Sequence, residues 1–175
     1  MKSRLWLLVA GGLLASCGLL PGVGGPQVLG SFTGDWTGVN QSKTRLALVG
    51  IGQGGVPTYD NQTEIKNITQ LKSYILELPQ KANEGAYRVY AYCDANANSK
   101  IDNGEAISDS GNKYLLYSNS DGSKTFFFVG GSVATTLTVK KGWNGYDSSN
   151  ASNVPFQGES FPDYNLSQPA AGACQ

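Results

Sequence analysis

Tyr87-Arg-Val-Tyr-Ala-Tyr-Cys-Asp-Ala-Asn-Ala-Asn-Ser-Lys-Ile-Asp-Asn-Gly-Glu105 is the stretch on which the fold of this chain turns. Tyr87 to Cys93 alternates aromatic and other side chains in the manner of a strand. It runs directly into a series of short oxygen-bearing side chains. In a twelve-position loop around calcium, oxygens come from positions 1, 3, 5, 7, 9 and 12. Asp94, Asn96, Asn98, Lys100, Asp102 and Glu105 fall on those positions in turn. A hard cation takes roughly six to eight oxygens, and alternate residues of a tight coil can face it together. Lys100 is no obstacle, because position 7 donates its backbone carbonyl, while Ile101 at position 8 turns to the core. The stretch predicts a strand feeding a calcium loop. The alternative is an Asx-rich turn whose Asn and Asp side chains bond their own backbone without metal; Glu105 at the closing position is what a plain turn does not need.

Asp94 to Glu105 resembles the EF-hand type of calcium loop. It departs from that pattern at position 6, where Ser99 replaces the glycine of the sharp turn. The loop has three carboxylates, and Asp102 holds the position that usually acts through water. The resemblance therefore implies weak binding, about 10⁻⁴ to 10⁻³ M, as in extracellular modules.

The 175 residues allow one domain behind a leader. Charge is balanced at 13 basic against 13 acidic residues, which leaves no electrostatic footprint for nucleic acid or anionic lipid. Abundant glycine, nine tyrosines and one methionine describe turns and strands, so the expected class is all-β. Histidine is absent, which excludes a Ser-His-Asp triad, a Cys-His pair and His-ligated zinc. Carboxylate-only chemistry, as in glycosidases, stays open; it would need two of Asp35, Glu64, Glu77 and Asp163 to face each other in a pocket.

Residues 1–16 read as an export signal, with Lys2 and Arg4 before an apolar core, Leu5 to Leu14, too short for a permanent span. Leu14-Ala-Ser-Cys17 resembles the lipobox of bacterial lipoproteins. That resemblance implies cleavage before Cys17, attachment of diacylglycerol to its thiol, and a membrane partnership through the lipid. Gly18 stands where enteric-type sorting would use Asp for inner-membrane retention, which points to the outer membrane or cell surface. The alternative is a cleaved signal with an incidental cysteine. Residues 17–34, rich in Gly and Pro, read as a flexible tether, with the domain spanning residues 35–175.

Within the domain, Thr44–Ile51 reads as the first strong strand. Gly50-Ile-Gly-Gln-Gly-Gly55 fits a dinucleotide fingerprint, but that motif needs a helix next, and Val56-Pro-Thr-Tyr-Asp-Asn61 is turn chemistry. No nucleotide is expected. Further strands are predicted at Thr63–Ile68 and Leu71–Pro79. Lys113–Tyr117 and Lys124–Val129 read as a hairpin through Asn119-Ser-Asp-Gly122, followed by a strand at Val133–Lys141. Trp143-Asn-Gly-Tyr146 reads as a plug at a strand end rather than a sugar platform. From about residue 147 the tail is expected to drape over the domain without strands.

The order over residues 70–106, a strand ending Leu-Pro, a turn, a Tyr/Val strand and an Asp/Asn loop, resembles transthyretin-like and immunoglobulin-like modules of bacterial surface proteins. It implies a single antiparallel β-sandwich of seven strands with structural calcium. Cys93 and Cys174 are expected to pair in an oxidising compartment, the alternative being that Cys93 is a small buried hydrophobe. Together these readings predict a non-enzymatic, calcium-stabilised envelope lipoprotein acting as a structural or binding module, with a protein or glycan partner that no residue names.

Overall fold

The computed structural model describes residues 25–65, 72–131, 133–150 and 152–175. Eleven strands occur among them: β1 Gln27–Ser31, β2 Thr44–Ile51, β3 Pro57–Ile65, β4 Ser73–Glu77, β5 Gly85–Cys93, β6 Ala106–Asp109, β7 Lys113–Ser118, β8 Gly122–Phe126, β9 Thr135–Val139, β10 Gly142–Asp147 and β11 Ser160–Phe161. The fold is an all-β sandwich. Its principal sheet runs β10-β7-β5-β2-β3, with β6 beside β5; a smaller sheet runs β11-β1-β4, and β8 and β9 form a separate hairpin.

The principal sheet is covered on both faces, and its side chains divide with the two-residue period of a strand. Leu46, Leu48, Tyr87, Val89, Leu115 and Tyr117 join Val28, Tyr74 and Leu76 of the smaller sheet in one core. Ala47, Val49, Tyr90, Tyr92, Tyr114 and Leu116 join Phe126, Phe128 and Val139 in the other. Arg88 lies on that second face and is buried for the same reason. Its guanidinium meets Asp109 Oδ2 at 3.1 Å and lies 4.6 Å from the Tyr114 ring centroid.

Several expectations are corrected. Gln27–Ser31, read as tether, is a strand pairing antiparallel with β4 and parallel with β11. Gly30 is there for packing rather than flexibility, since a Cβ would fall 2.3 Å from the Tyr74 ring. Pro57–Asn61, read as turn, belongs to β3, so the glycine-rich stretch passes through a short turn at Gln53–Gly55 into a strand, not a helix. At Gly55 a Cβ would lie 2.3 Å from the Phe128 carbonyl oxygen, so close backbone approach accounts for that glycine. The predicted hairpin of Lys113–Tyr117 with Lys124–Val129 does not form. β7 pairs with β10 and β5 while β8 pairs with β9, because β7 carries apolar side chains for two cores and β8 only for one. The resemblance implied seven strands, fewer than the eleven found, and its two strands before the loop, β4 and β5, lie in different sheets. Trp143 is inside β10, buried against Tyr87 and Tyr117, with Nε1 donating to the Pro79 carbonyl at 2.8 Å. The tail contributes β11 and the buried Phe161, Tyr164 and Leu166 to the first core.

Burial also sets the alkaline limit. Tyr74 and Tyr164 phenols are raised well above the ordinary tyrosine value, and Tyr90 is pushed up to about 12, in each case chiefly by desolvation. The folded state holds these protons more tightly than the unfolded chain, so their contribution is complete below about pH 10 and is lost as pH rises, for Tyr90 through about 12 and for the other two higher still. Melting temperature should be flat from neutrality to about pH 9.5 and fall steeply above it. A curve that stays flat to about pH 12 would show that burial does not hold these phenolic protons more tightly than the unfolded chain does.

Candidate metal centre

The stretch Asp94 to Glu105 joins β5 to β6 as the long loop of a hairpin. Its mouth is closed by Cys93 N–H donating to the Glu105 carbonyl at 2.9 Å, and its entry is fixed by Asp94 N–H donating to the Lys43 carbonyl at 2.9 Å. Inside, side-chain oxygens gather backbone donors. Asp94 Oδ1 accepts from Asn98 N at 3.0 Å and Oδ2 from Ser99 N at 3.2 Å. Asn96 Oδ1 accepts from Asn98 N at 3.1 Å, and Asn98 Oδ1 from Lys100 N at 2.8 Å. Glu105 spans the loop, Oε1 taking Ala95 N at 3.2 Å and Oε2 taking Asp102 N at 2.9 Å. Asp102 Oδ2 receives the side-chain amides of Asn96 at 2.9 Å and Asn98 at 2.8 Å. Those two amides hold the Asp102 carboxyl below the ordinary carboxylate range.

Ser99, the departure at position 6, takes φ 60°, the left-handed conformation that glycine ordinarily supplies there. Ile101 is fully buried in the second core. Two residues outside the loop complete it, and the sequence reading missed both. Gln62 of β3 accepts from Ile101 N–H at 2.8 Å and donates Nε2 to the Ile101 carbonyl at 3.1 Å, as a neighbouring strand would. Arg45 Nε donates to Asp94 Oδ2 at 2.6 Å; the Asp94 side chain is 1% exposed, so this cation is what makes its burial tolerable. A lone charge in the otherwise apolar run Thr44–Ile51 was the available signal for Arg45. Nothing marked Gln62 among its polar neighbours.

Asp94, Asn96, Asn98, Asp102 and Glu105 are thus brought into one network, and Lys100 enters through its N–H. No family model matches the chain, and no curated protein or solved structure is significantly similar to it. The donor set has to speak for itself. It is all oxygen, the set a hard cation prefers. Apart from Asp94 Oδ2, which already accepts from both Ser99 N–H and Arg45 Nε, each backbone-bonded oxygen keeps a second lone pair, and Asn96 and Asn98 could present oxygen instead of nitrogen toward Asp102 by rotating their amides. In the conformation described, the loop is closed by its own Asx-turn bonds, and among the described residues no three His, Cys, Asp or Glu side chains converge. The chemistry of the donors fits calcium, and the bonds that hold them in place are of the Asx-turn kind.

Cys93, immediately before Asp94, is bonded to Cys174, their Cα atoms 5.2 Å apart. Cys17 lies outside the described residues, and among those residues no helix is long and apolar enough to cross a membrane. Of the carboxylates named for a carbohydrate-type reaction, Asp35 lines a cavity of about 240 Å³ with Thr37 and Gln168, and its lining holds no second carboxylate side chain. Glu77 stands on the exposed side of β4, and Asp163 is exposed in the tail.

Proposed function

We propose that this chain is an exported, lipid-anchored β-sandwich of the bacterial envelope, stiffened by calcium at Asp94–Glu105, and that it serves as a structural or binding module rather than an enzyme. The observation that carries the reading is the assembled loop. Oxygen-bearing side chains at alternate positions are gathered between two paired strands, with Ser99 left-handed at position 6 and Ile101 buried at position 8. Asp94, Asn96, Asn98, Asp102, Glu105 and the Lys100 carbonyl would hold the ion, which would tie the start of the loop to its end. Leu14-Ala-Ser-Cys17 supports the anchor, and the order of elements over residues 70–106 supports a surface module of the transthyretin-like or immunoglobulin-like kind.

Calcium that binds only the folded state stabilises it by RT ln(1 + [L]/Kd), about 1.4 kcal/mol at millimolar calcium and a Kd of about 0.1 mM. The melting temperature should therefore rise by a few degrees over that in chelator. Asp102→Ala is the informative variant, because Asp102 accepts from two side-chain amides, whereas Asp94 and Glu105 hold backbone N–H groups. It should markedly reduce the calcium response and leave the melt in chelator within about 0.5 kcal/mol of wild type. Identical wild-type melts in calcium and chelator would sink the metal reading. The anchor is tested separately, by a fatty-acid analogue that should label the wild type and not Cys17→Ser; equal labelling of both removes it.

A further inference from the structure

Among the described residues no strand pairs with the outer edge of β4. Phe32 N–H donates to the Lys72 carbonyl at 3.1 Å and Leu78 N–H to the Pro26 carbonyl at 2.8 Å, so the even-numbered residues of this strand direct their backbone groups at β1. In an antiparallel ladder the intervening residues then point theirs the other way. Ser73, Ile75 and Glu77 thus present their N–H and C=O groups at an edge that pairs with no strand among the described residues. Exposed edges are ordinarily guarded by charged side chains, proline, a bulge, a covering segment or very short length, and β4 has only the single charge of Glu77 at its end. β10 is covered by Phe156, which bridges to Gly145; β3 is bulged against Val49 and Gly50, and β11 has two residues. β4 runs in unbroken register for five residues, as the β8-β9 hairpin also does, but among the described residues of these strands only β4 exposes a large apolar side chain, Ile75, 58% exposed at its centre.

We propose that β4 is a dimerisation strand that pairs antiparallel with β4 of a second copy of this chain, about a two-fold axis at Ile75. The pattern of the edge selects that register. With Ile75 opposite Ile75 of the other copy, and Ser73 opposite Glu77, all six outward backbone groups of each edge find partners. The side chains agree. Leu29 is the neighbour of Ile75 on β1, so the pairing creates an apolar row of Leu29 and Ile75 from each copy across the joined sheets. The rows on either side carry Gln27, Glu77, Ser73 and Ser31, which are polar, with Ser73 opposite Glu77 and no like charges facing. A slip of two residues sets Ile75 against Ser73 or Glu77 and loses the apolar row. The slip that sets it against Glu77 also brings Pro79, which has no N–H, opposite Ser73. The partner is a second copy because this edge is complementary to itself in one register.

The test uses the full chain carrying Cys17→Ser, in detergent that keeps its apolar N-terminal segment from driving association. Directly opposed residues of a hydrogen-bonded antiparallel pair have Cα atoms about 5.5 Å apart, within disulfide reach. Ile75→Cys should therefore form a covalent dimer under mild oxidation at least about tenfold faster than Ser73→Cys, whose own copies would stand about 13 Å apart along the strands. A mixture of Ser73→Cys and Glu77→Cys chains should cross-link where neither does alone. Sedimentation of the Cys17→Ser chain should show a concentration-dependent dimer between about 10 μM and 1 mM. Ile75→Lys, which sets like charges against each other at the axis, should abolish it without changing the melt. Equal cross-linking of Ile75→Cys and Ser73→Cys, or a monomer throughout that range, overturns the proposal and leaves the edge to an extended peptide of another protein.

Discussion

A chain ending at Asn150 is expected not to fold: it should lack a near-ultraviolet circular dichroism signal and show no cooperative melt. The deletion removes Phe161, Tyr164 and Leu166, which are 0%, 1% and 0% exposed, from the core between the two sheets. At roughly 1.5–3 kcal/mol for each buried side chain, the loss is about 5–9 kcal/mol. Ordinary domains are stable by only about 5–15 kcal/mol. The deletion also strips one side of β1. Gln27 N–H donates to the Glu159 carbonyl at 2.9 Å and Thr33 N–H to the Leu166 carbonyl at 2.8 Å, while Tyr164 and Leu166 donate back to Leu29 and Ser31. Finally, Tyr164 Oη donates to the Tyr114 carbonyl at 2.6 Å, reaching the principal sheet. The single change Leu166→Ala should cost about 2–5 kcal/mol, enough to place the truncation on a scale. A truncated chain that melts cooperatively within a few degrees of wild type would show that the tail is carried by the domain and does not hold it.

The strength of that expectation measures what the sequence left hidden. Strands β2 and β7 were legible because their apolar residues are contiguous, and β5 because its aromatic residues alternate. The loop after β5 was legible because metal-ligand spacing is a pattern of residue types at fixed intervals. Pairing was less accessible. An alternating strand is ordinarily read with one wet face, which would leave Arg88 in solvent; a second layer of Phe126, Phe128 and Val139 buries it instead. Gly30 contributed to a tether-like composition, yet it is bare because Tyr74 crosses it. The tail is irregular in sequence because most of its backbone bonds one neighbouring strand only, and such a segment needs no sustained alternation to bury three large side chains. Gln62 could not have been found, since one side-chain amide doing the work of a strand leaves no periodic trace.

Removing the disulfide should produce the second large loss. Cys93 and Cys174 are 81 residues apart in sequence. Closing a loop of that size withdraws entropy from the unfolded chain worth about 4 to 5 kcal/mol on the chain-entropy model. Cys93→Ala with Cys174→Ala should therefore lower the melting temperature by about 10–20 °C. The native contacts around the bridge argue that the folded state itself changes little. The Cys174 carbonyl accepts Asn40 N–H at 2.8 Å, its Sγ lies 3.7 Å from Thr44 Oγ1, and Cys93 N–H is satisfied by Glu105. The loss should appear mainly in the folding rate if the tail docks before the transition state, and in the unfolding rate if it docks after. Either way, the double variant should keep its near-ultraviolet signal at low temperature, in contrast to the chain ending at Asn150. A double variant that melts within about 2 °C of wild type would mean that the buried tail residues alone hold the last strand in place. Two titratable thiols in the denatured, unreduced Cys17→Ser chain would mean that the bridge is not made at all.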